Sequence, residues 1–118
     1  MRRRELLGSA LPILHLSSEG SSVDSKSGSG TITLFDKNGN AYTGATLTIN
    51  KDSKFTSASY NKSTGVISYA YSRNTNTSSA VNAKIYVLFG PQTLIFTLSQ
   101  AKDYSVSTSS SITGEVTD

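Results

Sequence analysis

The 118-residue sequence has no cysteine, no tryptophan, a single histidine and only two prolines. The absence of cysteine excludes disulfides, thiolate metal sites and lipoprotein acylation, and a lone histidine excludes a multi-histidine metal centre. No apolar run approaches the about 20 residues that a membrane-spanning helix requires. Hydrophobic residues make up only 36% of the chain, but a β-sandwich of about 100 residues can bury a core from alternating positions. We therefore expect no metal and no cofactor.

The net charge of +3 belongs to one end of the chain. Arg2, Arg3 and Arg4 carry three positive charges, and the remaining eight basic residues balance the eight acidic ones. A nucleic-acid-binding domain distributes Lys and Arg over one face with aromatic residues among them, and this sequence lacks that pattern. Neither a nucleic acid nor a membrane is expected as a partner.

The densest apolar stretch, residues 80–100, predicts a β-hairpin. Ile85 and Val87 alternate with more polar residues, and the alternation resumes after a Gly-Pro-Gln turn. Period-two spacing with β-branched and aromatic residues is typical of a strand with one buried face. We expect Ile85, Val87 and Phe96, together with Leu94 or Ile95, to lie in or beside the core.

Shorter alternating segments at residues 31–36, 45–50, 55–60 and 66–72 predict further strands, separated by turn residues at intervals of about ten residues. This pattern predicts an all-β fold, an immunoglobulin-like β-sandwich of about seven strands preceded by an extended N-terminal arm. The sandwich is expected to span residues 31–106. Residues 107–118 would form a C-terminal tail or an edge strand.

Residues 1–16 combine arginines with a broken apolar stretch. A twin-arginine export signal begins in this way, but Pro12 and His15 interrupt the apolar run and no Ala-x-Ala cleavage motif follows. A disordered tail would explain the arginines but not six large aliphatic residues exposed to water. The favoured interpretation is an uncleaved anchoring arm, with arginines for carboxylates and aliphatic residues for an apolar groove of a partner protein. The predicted partner-binding residues are Arg2, Arg3, Arg4, Leu6, Leu7, Leu11, Ile13, Leu14 and Leu16.

Residues 17–30 are predicted to be a flexible linker, because Ser and Gly dominate them. A tag-derived segment is the alternative interpretation of the Ser-Gly repeat. If the stretch is a linker, the aliphatic residues of the arm have no core of their own to enter. Deletion of residues 1–16 would then leave a folded sandwich.

The sequence contains no arrangement that predicts catalysis. Asp36 and Asp52 lie in separate predicted turns, where an aspartate commonly forms an Asx-turn. No G-x-S-x-G motif occurs, and His15 lies in the arm. We expect a non-enzymatic protein. A sugar-stacking platform is an alternative use of the tyrosines, although such residues usually cover a sheet or a core edge: Tyr42, Tyr60, Tyr69, Tyr71 and Tyr86.

Residues 45–100 resemble the second half of a BACON domain. The resemblance rests on Ser63–Gly65 before a strand, the loop Asn74–Ser78, the strand Ala83–Val87 and the closing Phe96–Gln100. BACON domains are immunoglobulin-like β-sandwiches common in surface and secreted proteins of gut bacteria and in their phages. The resemblance implies the same fold here.

The first seven residues, MRRRELL, are similar to the starts of virion proteins in crAss-like and related phages of gut bacteria. This similarity implies a virion structural protein at the capsid surface, a decoration or head-fibre protein in many copies or as a homo-oligomer. The arm would bind other virion proteins, and adhesion to surfaces or glycans is a secondary expectation. The alternative is a secreted or periplasmic BACON-like module that binds polysaccharide.

Overall fold

Two four-stranded β-sheets pack face to face in the computed structural model, which describes residues 11–103. One sheet has the strand order β1-β3-β6-β5 and the other the order β2-β8-β7-β4. No helix occurs within these residues. The strands are β1 His15–Leu16, β2 Gly20–Val23, β3 Gly28–Phe35, β4 Thr48–Lys51, β5 Phe55–Asn61, β6 Val66–Tyr71, β7 Val81–Phe89 and β8 Gln92–Gln100.

The strand order is that of an immunoglobulin-like sandwich. All neighbouring strands are antiparallel except β2, which runs parallel to β8. The chain starts beside β3 in one sheet as β1 and then crosses to the other sheet as β2. Apart from β2, the two sheets contain the four and three strands of a constant-type immunoglobulin domain in the same order. The predicted all-β sandwich is confirmed.

The β7–β8 hairpin supplies much of the core, as its alternation predicts. The two strands pair from Val81↔Gln100 to Phe89↔Gln92. Ile85 and Val87 are fully buried, Phe96 is 1% exposed, and its ring centroid lies 5.1 Å from that of the facing Tyr69. Of the two neighbours left open by the sequence, Leu94 packs against the core and Ile95 is exposed.

Tyrosine rings complete the core from the opposite sheet. The ring of Tyr69 meets that of Phe55 edge to face at 5.7 Å and stacks beside that of Tyr71 at 6.2 Å. Burial raises the pKa of Tyr69 above its ordinary value of 10.0, and the Tyr71 hydroxyl adds to the shift. The folded state disfavours the Tyr69 phenolate. The contribution of neutral Tyr69 to the free energy of unfolding is therefore complete below pH 10.0 and is lost as the pH rises further.

The predicted linker is wrong as a structural assignment. Residues 17–30 contain all of β2 and the start of β3, so the sandwich begins before Thr31. Two glycines in this stretch, Gly28 and Gly30, allow tyrosine side chains of β6 to lie close to the backbone of β3. A Cβ at Gly28 would lie 2.5 Å from the Tyr71 hydroxyl, and one at Gly30 would clash with the Tyr69 hydroxyl. The remaining predicted boundaries, at residues 106 and 107, lie outside the described residues.

The turn after β3 has the geometry that its composition predicts. The Asp36 carboxylate accepts hydrogen bonds from the backbone N–H groups of Asn38 at 2.8 Å and Asn40 at 3.0 Å. Asp52 differs from the expectation of an Asx-turn. Its carboxylate accepts from the backbone N–H of Lys84 at 2.7 Å and so joins the end of β4 to β7. Both carboxylates therefore have structural roles.

We predict that Phe96→Ala lowers the free energy of unfolding by about 3–5 kcal/mol, because a buried ring is replaced by a cavity. Urea titration followed by circular dichroism would measure the change. Ile95→Ala is the matched control on the adjacent, 42% exposed position. It should cost less than about 1 kcal/mol. Equal losses for the two variants would contradict the burial assigned to Phe96.

Candidate interaction surface

The N-terminal segment, residues 11–16, is part of the sandwich. Leu14 is 1% exposed and Leu16 is 9% exposed, and both belong to the core. β1 pairs antiparallel with β3 through His15↔Phe35 and Leu16↔Leu34. Residues 11–16 therefore cannot be a detachable arm.

The side chain of Gln92, at the first position of β8, fixes the N-terminal segment. Its Oε1 accepts a hydrogen bond from the backbone N–H of Leu14 at 3.0 Å. Its Nε2 donates to the carbonyl oxygen of Pro12 at 2.5 Å. The proline has no N–H of its own to pair. One amide side chain thus satisfies two backbone groups of a segment that has only a two-residue strand.

Three large hydrophobic side chains are exposed on the part of the sandwich that the structure describes. Among residues 11–103 these are Leu11 at 44%, Ile13 at 60% and Ile95 at 42% exposure. Leu11 and Ile13 flank the clamp made by Gln92, and Ile95 lies three residues further along β8. We call Leu11 and Ile13, which line one groove, the apolar end.

A groove lies beside Leu11 and Ile13, with a volume of about 410 Å³. Its other side is the turn after β3, where Lys37 is exposed and the Asp36 carboxylate is held by the turn. The lining residues are Leu11, Pro12, Ile13, Asp36, Lys37, Asn38 and Tyr42. The groove thus offers apolar walls with one acid and one base at its rim.

A Gly at the β7–β8 turn lets the N-terminal segment cross this end. Gly90 has a φ of 58°, in the left-handed region that favours glycine. A Cβ at this position would also clash with the Leu11 side chain. The segment therefore passes directly over the turn between β7 and β8.

The structure separates the nine predicted partner-binding residues. Leu11 and Ile13 are exposed, as a partner-binding role requires. Leu14 and Leu16 are a correction, because the protein buries them in its own core and they are not available to a partner. The others, Arg2, Arg3, Arg4, Leu6 and Leu7, lie outside the described residues.

The tyrosines do not form one sugar-stacking platform. Tyr69 and Tyr71 are buried between the sheets, and Tyr60 donates its hydroxyl to the carbonyl oxygen of Ala45 at 3.1 Å. Tyr86 lies on the outer face of its sheet, between the core positions 85 and 87. The interpretation as a platform is therefore wrong, because four of the five tyrosines lie in or against the core: Tyr42, Tyr60, Tyr69 and Tyr71.

The end of the sandwich opposite the apolar end contains buried polar side chains. Gln100, fully buried at the last position of β8, donates from Nε2 to the carbonyl oxygens of Ser25, Lys26 and Ser72 at 3.0–3.3 Å. Its Oε1 is buried without a hydrogen-bond partner among the residues that the structure describes. Gln100 therefore holds the chain that follows β2, as Gln92 holds the chain that precedes it.

Asn74 and Asp103 stabilise the loops at this opposite end. The Asn74 side chain donates to the carbonyl oxygens of Ser79 at 3.1 Å and Ala101 at 3.0 Å. Asp103, whose side chain is 1% exposed, forms an ion pair with Arg73 at 2.6 Å. A buried carboxylate needs such a partner. The cluster is explained by loop stabilisation.

Residues 11–103 contain no group of three or more His, Cys, Asp or Glu side chains that could hold a metal ion. Nor does that part of the chain contain a helix long and apolar enough to cross a membrane.

No protein-family model matches the chain, and no curated protein matches it. Among solved structures, 80% of this chain matches 13% of a structure of surface layer protein SbsC, domains 1–6, with a TM-score of 0.50 and 18% identity. A crystal structure of S-layer protein SbsC domains 4 and 5 matches 79% of this chain over 55% of its own length, with a TM-score of 0.48 and 20% identity.

An NMR structure of a protein from Bacteroides thetaiotaomicron matches 80% of this chain over 90% of its own, with a TM-score of 0.47 and 16% identity. The chain thus spans about half, or much less, of the S-layer protein chains. At 18% identity, the similarity with a TM-score of 0.50 supports the β-sandwich fold alone.

Deletion of residues 1–16 is expected to unfold or strongly destabilise the protein, and deletion of residues 1–10 should lower its melting temperature less, because it keeps Leu14 and Leu16 in the core. Loss of a buried leucine costs about 2–5 kcal/mol, and residues 11–16 contain two. Since a domain of this size is stable by only about 5–15 kcal/mol, the larger deletion removes much of that margin. Thermal melts of the two deletion variants would test this prediction. A stable protein lacking residues 1–16 would support the hypothesis of a detachable arm instead.

Proposed function

We propose that this protein is a non-enzymatic structural module of an extracellular assembly, attached to a protein partner through its apolar end. The observation that carries the proposal is the exposure of Leu11 and Ile13 beside a groove at the end where the chain enters the sandwich. Exposed apolar patches of this kind mark interaction sites on soluble domains. The predicted anchor residues Leu6 and Leu7 precede the same end.

Apolar burial would supply most of the binding free energy. Full burial of a Leu or Ile side chain is worth about 1.5–3 kcal/mol. Leu11 and Ile13 are already partly covered by the sandwich, so each contributes the remaining fraction. An exposed arginine–carboxylate pair contributes about 0–1 kcal/mol. The arginines would therefore set the register of attachment, and the aliphatic side chains would supply its strength.

The N-terminal segment is suited to transmit attachment to the whole domain. Leu11 and Ile13 lie on the same short segment as the core residues Leu14 and Leu16. Gln92 holds that segment to β8 by two hydrogen bonds. A partner that grips Leu11 and Ile13 would thus hold the sandwich itself, with no flexible tether between them.

The finer assignment that we propose is a capsid-associated decoration or head-fibre protein of a gut phage, present in many copies. It rests on the resemblance of residues 1–7 to virion proteins and of residues 45–100 to BACON domains. In such an assembly the apolar end would face the shell, and the opposite end, with Gln100 and Asp103, would project outward.

A secreted or periplasmic carbohydrate-binding module is the second candidate, because Tyr86 lies on an outer sheet face. Tyr86 pairs with Asn50 on one side and with Ile95 on the other. An aromatic ring beside an amide is an arrangement that can stack on and hydrogen-bond a sugar. Loss of glycan binding in a Tyr86→Ala variant, with particle attachment intact, would favour this candidate.

Attachment can be tested by co-purification of the protein with intact virions. We expect the double variant Leu6→Ser, Leu7→Ser and the single variant Ile13→Ser each to reduce occupancy more than Arg2→Ala does. Thr31→Ser is a control at an exposed position of β3, on the outer face of its sheet. Full occupancy of both the Leu6→Ser, Leu7→Ser double variant and the Ile13→Ser variant would overturn the proposal that the apolar end is the anchor.

A further inference from the structure

Strand β8 is paired along only half of one edge. β8 spans Gln92–Gln100 and pairs with β7 along its whole length on one side. On the other side β2 pairs only with the half from Thr97 to Gln100. Within residues 11–103 no strand pairs with the first half of β8 on that side.

The backbone groups at this open half-edge point outward. Thr97 donates its N–H to the carbonyl oxygen of Glu19 at 2.9 Å, and Ala101 donates to that of Val23 at 3.0 Å. Alternate residues of a strand direct their backbone groups to the same side. The N–H and C=O groups of Thr93 and Ile95 therefore point to the side of β2, where β2 is absent.

The half-edge is open because the N-terminal chain changes sheets. His15 and Leu16 pair with β3 in the opposite sheet, and the backbone N–H of Ser17 still donates to the carbonyl oxygen of Thr33 at 2.8 Å. The chain reaches β8 only at Gly20. A notch of about 260 Å³ is left between residues 15–19 and the first half of β8. Its lining residues are His15, Leu16, Glu19, Thr93, Leu94 and Ile95.

The notch lacks the usual protection of a sheet edge. Edge strands are commonly blunted by lysines, prolines or bulges. Thr93 and Ile95 carry no charge, β8 pairs with β7 without a register shift, and Ile95 is 42% exposed. Such an edge can accept an additional strand by main-chain hydrogen bonds.

We propose that this half-edge accepts residues 4–7, Arg-Glu-Leu-Leu, of a second copy of the chain as an additional β-strand. In an extended strand, Leu6 and Leu7 face opposite sides. One leucine would then contact Leu94 on the core side and the other Ile95 on the outer side. Glu19 is the one acid lining the notch, and it would pair with an arginine of the incoming segment.

A second copy fits the notch better than the chain's own N-terminus. The N-terminal segment crosses the β7–β8 turn over Gly90, and Gln92 fixes Pro12 and Leu14. Residues 4–7 of the same chain would have to reverse direction within residues 8–10 to enter the notch. Those of a neighbour need no reversal. The inference rests on the proposed function, since it assigns a partner to the same end of the molecule.

Thr93→Pro tests the proposal selectively. Proline removes the N–H that points into the notch, while the hydrogen bonds between β7 and β8 use the alternate residues. Thr93→Val, which retains the N–H and the shape of the side chain, is the matched control. Ile95→Lys, at an exposed position, is the second variant should the proline lower the melting temperature.

Sedimentation of the full chain at increasing concentration is the measurement. We expect wild type and Thr93→Val to associate beyond the 12.5 kDa monomer, and Thr93→Pro, Ile95→Lys and the protein lacking residues 1–10 each to remain monomeric. A mixture of Thr93→Pro, which keeps its donor segment, with the protein lacking residues 1–10, which keeps its notch, should form a one-to-one complex.

The outcomes separate the two proposals. A monomeric wild type, unchanged association of both notch variants, or a mixture that stays monomeric would overturn strand addition between copies. A monomeric wild type that still binds virions would leave the proposed function standing, with a different protein in the notch. A chain that associates as expected but is absent from virions would reject the attachment instead.

Discussion

The sandwich depends on β8, which holds the N-terminal segment through Gln92 and lies between β2 and β7 in its sheet. β8 pairs with β7 along one edge and with β2 along half of the other. A glutamine at each of its ends holds the chain on either side of β2, Gln92 through two backbone groups and Gln100 through carbonyl oxygens. Gln100 is fully buried, and a buried amide that loses its partners costs about 1–3 kcal/mol, so its contacts favour one path for the chain after β2.

The central part of the fold could be predicted from the sequence, because its side chains alternate strictly. Ile85, Val87 and Phe96 lie in the core where period two places them. Residues 17–30 could not be assigned in this way, since strands rich in Ser and Gly have little apolar signal. The reason for the glycines at 28 and 30 is that two tyrosine rings from β6 lie over them, a contact between residues about 40 positions apart. Composition alone does not distinguish such close approach from flexibility.

The candidate site could be predicted only in part, for a related reason. A cluster of aliphatic residues near an N-terminus is compatible with an anchor or with a core strand, and residues 11–16 contain both exposed and core aliphatic side chains. Leu14 and Leu16 face the core, whereas Leu11 and Ile13 face solvent. The contribution of Ile95 and the notch depends on where β2 stops pairing with β8, which is a tertiary feature. The two glutamines at the ends of the apolar strand β8, Gln92 and Gln100, were the one sequence signal for these contacts. Which chain segments they hold is visible only in the fold.

The attachment proposed for Leu11 and Ile13 would therefore be coupled to folding. The side chains that a partner would grip lie within five residues of those that complete the core. A ligand that binds only the folded state stabilises it by an amount that grows with the logarithm of its concentration over the dissociation constant. Occupation of the apolar end would thus also hold β1 on β3 and the N-terminal segment on Gln92. A flexible linker would have made the two free energies independent, and the burial of Leu14 and Leu16 excludes that arrangement.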